Sequence, residues 1–198
     1  MNDNIIFKDV DMTFRIDGGS VKVFEKLNLQ ISPTEFTVLI GKSGCGKTTL
    51  LRLIAGLEQP TGGEIEIPPE LKIGTVFQEA RLMPWLNCEK NVLLGLKNKS
   101  RKDASEILEL VGLKGFEKAY PSQLSGGMKQ RAALARTLIR NSNLLLMDEP
   151  FSALDDSTRA SLQQELLRIR KETGAGIIFV THNIEEATTL GDRIITLG

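Results

Sequence analysis

Residues 41–48 read Gly-Lys-Ser-Gly-Cys-Gly-Lys-Thr, a glycine, four residues and then Gly-Lys-Thr. An apolar run at 36–40 precedes them and a helical pattern at 47–55 follows, which predicts strand, loop and helix in that order. The glycines let successive backbone N–H groups turn inward as an anion nest, and the helix N-terminus adds the positive end of its dipole. This is the Walker A pattern. It predicts that Gly41, Lys42, Ser43, Gly44, Cys45 and Gly46 wrap a phosphate chain, with Thr49 behind them on the helix. Lys47 reaches the β- and γ-phosphates and the Thr48 hydroxyl ligates Mg²⁺. A tight turn alone accounts for the glycines but leaves Lys47 and Thr48 unexplained. Cys45 reads as a small residue that fits the loop.

A second chemical element stands at 144–149, where four apolar residues lead into Asp148 and Glu149. A strand that ends in two acids delivers carboxylates to the carboxyl edge of a parallel sheet, beside the phosphate loop. Asp148 is expected to hold Mg²⁺. Glu149, one residue on, is expected to point elsewhere and polarise the water that attacks the γ-phosphate, as general base. Two acids after a strand also make a solvated turn; the phosphate loop raises this pair above that reading.

The remaining pattern sets the fold class as α/β. Strand-like runs over 5–31 broken at Asp17-Gly18-Gly19 predict an antiparallel layer. Strands are expected at 64–67, 72–77, 144–147 and 177–180, and helices at 103–113, 127–139 and 158–171, with a final helix and strand ending at Leu197. Strands alternating with helices imply a mostly parallel sheet, and the loops read as short.

A chain of 198 residues can bury the core of one domain without disulfides. Its 25 Lys and Arg balance 25 Asp and Glu, so there is no general attraction to nucleic acid or to an anionic membrane surface. Two cysteines, Cys45 and Cys88, suit a reducing compartment rather than a disulfide framework. The acidic N-terminus lacks a basic start and an apolar run, so no export signal is expected. No run approaches the ~18 apolar residues a membrane span needs. A cytoplasmic protein is the expectation.

Residues 123–131, Gln-Leu-Ser-Gly-Gly-Met-Lys-Gln-Arg, resemble the signature motif of the ATP-binding-cassette (ABC) ATPases. Ser125, Gly126 and Gly127 at a helix start offer a hydroxyl, close backbone approach and a dipole end, a second anion site; an ordinary N-cap would look the same. The companions occur in the family's order. Gln78 in Val-Phe-Gln-Glu resembles the Q-loop, Asp155 in Ser-Ala-Leu-Asp the D-loop, and His182 in Thr-His the switch histidine. Taken singly they read as a solvated glutamine, a helix cap and a structural histidine. Phe14 matches the position that stacks on adenine, where tyrosine is more usual.

The resemblance implies a P-loop NTPase core with an N-terminal antiparallel β-subdomain and an inserted helical subdomain at about 79–140, all within one nucleotide-binding domain over 1–198. It implies an ATPase that pairs head to tail with a second cassette, in a homodimer or with a similar chain, around two MgATP. His182 would contact the γ-phosphate, Gln78 the Mg²⁺ or the attacking water, and Ser125, Gly126 and Gly127 the partner's nucleotide, with Asp155 nearby. Residues 77–86 followed by Asn91-Val92, with Met128 after Leu-Ser-Gly-Gly, resemble importers of the nitrate, sulfonate and taurine group. That implies permease subunits, an extracytoplasmic binding protein and a place on the inner face of the membrane. Met83, Pro84 and Trp85 stand where such cassettes receive a coupling helix; packing of Trp85 inside the helical subdomain is the competing reading. Relatives often continue past the strand ending at Leu197, so no carboxy-terminal regulatory domain is expected. An exporter cassette, a soluble ABC ATPase and a non-hydrolysing binding module are the rivals.

Overall fold

A computed structural model describes residues 3–198; Met1 and Asn2, where the reading of the N-terminus begins, lie outside the described residues. The chain opens with a hairpin in which β1 (Ile5–Ile16) and β2 (Gly19–Ile31) run antiparallel around Gly18, at a φ of 93°. β3 (Phe36–Gly41) then enters the centre and α1 (Lys47–Ile54) leaves it, after which β4 (Gly62–Glu66) returns to pair with β1. β5 (Ile73–Val76) leads into three helices, α2 (Cys88–Val92), α3 (Arg101–Leu110) and α4 (Gly126–Leu138). β6 (Leu144–Asp148), α5 (Asp156–Thr173), β7 (Gly176–Val180), α6 (Ile184–Leu190) and β8 (Arg193–Leu197) complete the described chain.

Two sheets result. The antiparallel one has the order β2-β1-β4, and the five-stranded one, β5-β6-β7-β3-β8, is parallel at every pairing. Its central strands are apolar on both faces, as a sheet covered on both sides requires. Alternation then divides the core. Phe36, Val38, Leu145, Met147, Ile177 and Phe179 face one cluster with α2 to α6, while Leu39, Leu144, Leu146, Ile178 and Val180 face the other with α1 and the antiparallel sheet.

Element boundaries follow the caps more than the apolar period. α3 begins at Arg101, two residues before the expected start, because Ser100 and Asp103 form a capping box. It stops at Leu110 rather than 113, where Gly112 takes a φ of 69°. α5 likewise extends over Asp156–Thr173, capped by Asp155 and ended by Gly174 at φ 69°. β4 sits earlier than expected because pairing with β1 recruits Gly62 and Gly63. The expectation of short loops fails at 77–87, which lies between β5 and the short helix α2 that the periodicity did not show. Backbone-directed hydrogen bonds shape this stretch: Asn91 binds Met83 and Leu86, and Arg136 donates to the carbonyls of Ala80 and Arg81.

Candidate functional site

Four neighbouring strands end at one edge of the parallel sheet, and each delivers a residue singled out above. β3 runs into the phosphate loop, β5 into Gln78, β6 into Asp148 and Glu149, and β7 into Thr181 and His182. Register fixes their heights: Asp148 is level with Val180, which is level with Leu39. The carboxyl edge beside a topological switch point is where open α/β sheets bind ligands.

The loop is built as its glycines require. Gly41 and Gly46 have φ values of 153° and 100°. A Cβ on Gly46 would lie 2.7 Å from the ring of Phe24, and one on Gly41 would lie 2.2 Å from the Leu197 carbonyl oxygen. Strands β2 and β8 therefore hold the loop at both ends. Lys42, Ser43 and Gly44 form an exposed rim, whereas Lys47 is 7% exposed and its Nζ donates to the carbonyls of Gly41 (2.7 Å) and Lys42 (3.0 Å). α1 starts on Gly46 with no side-chain cap, so the first-turn N–H groups, those of Lys47, Thr48 and Thr49 among them, point toward the loop. Cys45 is a free, half-buried thiol with Sγ 3.9 Å from Lys47 Nζ.

Beside the loop, Thr48 Oγ1 donates to Asp148 Oδ1 at 3.0 Å. Burial pushes the Asp148 carboxyl above its usual range, against the lowering pull of the Thr48 hydrogen bond. Thr48, Gln78 and Asp148 line one groove. Glu149 turns the other way. It adopts a left-handed φ of 43°, an uncommon conformation for a non-glycine residue that clusters at functional sites. Its N–H donates to Val180 O at 3.1 Å, and its Oε2 stands 3.3 Å from Nδ1 of His182.

A third group of contacts joins the remaining residues. Gln78 Nε2 donates to Ser152 Oγ (3.1 Å), which itself donates to the Glu149 carbonyl (3.0 Å). Gln130, on α4, donates to the Gln78 carbonyl. Ser125 caps α4 by accepting from Met128 N at 3.3 Å, and Asp155 caps α5 by accepting from Ser157 Oγ (2.6 Å) and Thr158 N (2.9 Å). These hydrogen bonds hold the Asp155 carboxyl well below the usual carboxylate range. Phe14 is half-buried and packs against the core cluster under the antiparallel sheet, as Val23 and Cys45 also do.

A family model described as ABC transporter matches residues 24–152, which include the phosphate loop, Gln78, Ser125 and the acid pair. This chain belongs to the ABC transporter family. Membership makes it an ATP-binding and ATP-hydrolysing cassette whose reaction is coupled to transport. It is 47% identical over 196 residues to an uncharacterized ABC transporter ATP-binding protein of Methanocaldococcus jannaschii, covering 93% of this chain and 73% of the relative. It is also 47% identical over 203 residues to the aliphatic sulfonates import ATP-binding protein SsuB of Bacillus cereus, with 98% of this chain and 81% of the relative covered. Among solved structures, an ATP-binding cassette in a dimeric post-hydrolysis state bound to ADP and Pi aligns with a TM-score of 0.83 at 34% identity, over 98% of this chain and 94% of that one. No helix among the described residues is long and apolar enough to cross a membrane.

Trp85 is 70% exposed, which overturns packing inside the helical layer and leaves the outward reading. The sequence motifs contain Gln130, Ser152 and Asn91 and leave out Arg136, but they do not show that these side chains bond to the backbone of Gln78, Glu149, Met83 and Ala80 across 52, 3, 8 and 56 residues of sequence.

Proposed function

We propose that the chain is the MgATP-driven subunit of an importer of small anions of the sulfonate class, working as a head-to-tail pair on the cytoplasmic face of permease subunits that an extracytoplasmic binding protein loads. One nucleotide-binding domain spans 1–198, with a helical subdomain at about 79–140. The observation that carries the reading is the convergence of Lys47, the Thr48–Asp148 pair and the Glu149–His182 pair on one sheet edge. The substrate class is supported by the sulfonate-import relative.

Gly41 to Gly46 donate backbone N–H groups to the phosphates, and Lys47 moves from its two carbonyl partners to the β- and γ-phosphate oxygens. The hydroxyl of Thr48 and the carboxylate of Asp148, oxygen donors 3.0 Å apart, fit Mg²⁺, which is held by one or two carboxylates together with substrate phosphates. Thr48 and Asp148 would hold the ion there, where it would supply positive charge against the charge developing on the phosphates. Glu149 takes the proton of the attacking water as the water oxygen bonds to the γ-phosphorus and the bond to the β-phosphate oxygen breaks, leaving ADP and phosphate. His182 contacts the γ-phosphate, and Gln78 orients the water. Phe14 stacks on adenine. Ser125, Gly126 and Gly127 hold the nucleotide of the second cassette, with Asp155 beside them, so ATP favours the closed pair over the open one.

Size-exclusion chromatography of Glu149→Gln with and without MgATP, beside phosphate release by the wild type, tests this. The expected result is an ATP-dependent shift from monomer to dimer together with wild-type hydrolysis. Wild-type turnover in Glu149→Gln would remove it as the base.

A further inference from the structure

Glu186 lies in the first turn of α6, where acidic side chains are ordinarily solvated, yet it is 6% exposed. A buried carboxylate is unfavourable unless it is paired and hydrogen-bonded. Three groups meet this one: Thr181 Oγ1 donates to Oε2, Gln163 Nε2 donates to Oε1 at 3.3 Å, and Arg159 Nε lies 3.6 Å from Oε1. The partners lead in two directions. The Thr181 hydroxyl also accepts from Asn183 N at 3.0 Å, so it holds both residues that flank His182. The far end of the Arg159 guanidinium donates to Leu154 O (2.9 Å) and pairs with Asp156 (2.7 Å), the two residues that flank Asp155.

We infer that Glu186 and Arg159 are a positioning pair for ATP hydrolysis, fixing the turn of His182 to the turn of Asp155 so that the imidazole meets Glu149 and the γ-phosphate at the right height. The inference rests on the role given to His182 above. The His182 side chain is 66% exposed and reaches Glu149 at 3.3 Å, so the ring goes where its turn goes. Glu149, Ser152, Arg159, Thr181, His182 and Glu186 line one cavity of about 80 Å³, which places the pair directly behind the reacting side chains. Neither Glu186 nor Arg159 reaches the phosphate loop by any of these contacts. Their effect passes through His182, on the rate of the chemical step rather than on nucleotide affinity.

The test uses the full, untagged chain, whose single histidine gives one set of imidazole NMR signals. Glu186→Gln keeps the size of the side chain and an oxygen for Thr181 but loses the charge that Arg159 needs. The expected result is a kcat for ATP hydrolysis about tenfold lower with KM for ATP within about twofold, and a displaced His182 signal. Arg159→Met should behave alike, Arg159→Lys should recover most of the rate, and the double variant should fall no further than the worse single. A lowered melting midpoint with kcat and His182 signals unchanged would leave the pair purely structural and overturn the inference; so would losses that simply multiply in the double variant. If Glu186→Gln does not fold, the two Arg159 variants give the same readings. Absence of ATP hydrolysis by the wild type, or an unchanged kcat in His182→Ala, would instead sink the underlying role of His182, and the NMR comparison would still decide whether Glu186 places the ring.

Discussion

Thr48 Oγ1 donates to Asp148 Oδ1 at 3.0 Å, joining the first turn of α1 to the carboxyl end of β6 across 100 residues of sequence. Asp148→Asn keeps an oxygen for that hydrogen bond and removes the charge. The variant should fold, should bind ATP in the presence of a chelator as the wild type does, and should lose the gain in affinity that Mg²⁺ brings. Phosphate release should fall at least ~10²-fold. Nucleotide titrations with and without Mg²⁺ check this, and a wild-type Mg²⁺ dependence in the variant would rule Asp148 out as a ligand.

Ser125 stands at the start of α4, where a Cβ on Gly126 would approach Leu154 to 3.2 Å and one on Gly127 would meet Thr158 at 2.7 Å. The signature segment is therefore packed against the Asp155 region with little room behind it. Ser125→Arg projects a long side chain from this face and gives up a cap worth about 1 kcal/mol. ATP affinity of the chain's own phosphate loop should stay within about twofold, while steady-state hydrolysis falls at least about tenfold. Loss of nucleotide binding in this variant would contradict a site divided between two chains.

Much of this was legible in the sequence because the site is made of strand ends and loops with demanding chemistry. The run 41–48 fixes a conformation as well as a function, and Gly41 and Gly46 sit where only glycine fits. Asp148 and Glu149 were readable because an apolar strand ends on them. The sequence was silent on the contacts that hold these residues. Gln130 reaches the Gln78 carbonyl over 52 positions, and Arg136 reaches Ala80 over 56, through meetings that no local period encodes. Helix ends were misplaced for a related reason: Ser100, Asp155, Gly112 and Gly174 set them through side-chain and left-handed caps, which apolar spacing does not register.

Asp155 connects local stability to pH. Hydrogen bonds from Ser157 and the Thr158 backbone depress its folded pKa below the unfolded value of about 3.9. A depressed acid contributes stability that is complete above the unfolded pKa and is lost as pH falls through the folded one. Asp155→Ala should therefore melt about 2–4 °C lower than the wild type at neutral pH. The gap should hold steady down to about pH 5 and narrow below about pH 4. Thermal melts of both proteins across that range check the sign; a gap that widens toward acid would show that the carboxylate is not the stabilising form.

The loop at 77–87 separates what holds a surface from what the surface presents. Asn91 is fully buried, accepts from Met83 N at 2.7 Å and donates to the carbonyls of Met83, Leu86 and Asn87. Replacing it with Ala strands several buried backbone groups, so Asn91→Ala should cost about 2–4 kcal/mol of folding stability. Trp85, carried by the same loop, is 70% exposed, and Trp85→Ala should change stability by less than about 0.5 kcal/mol and leave ATP hydrolysis by the isolated chain within about twofold. If the exposed indole is an anchor for the permease, substrate uptake by the assembled transporter should fall about tenfold or more in Trp85→Ala, in keeping with a buried aromatic hot spot. Chemical denaturation, phosphate release and uptake by reconstituted transporter separate the two roles. Equal losses of stability in both variants would show that Trp85 belongs to the fold, and undiminished uptake in Trp85→Ala would show that the permease docks elsewhere.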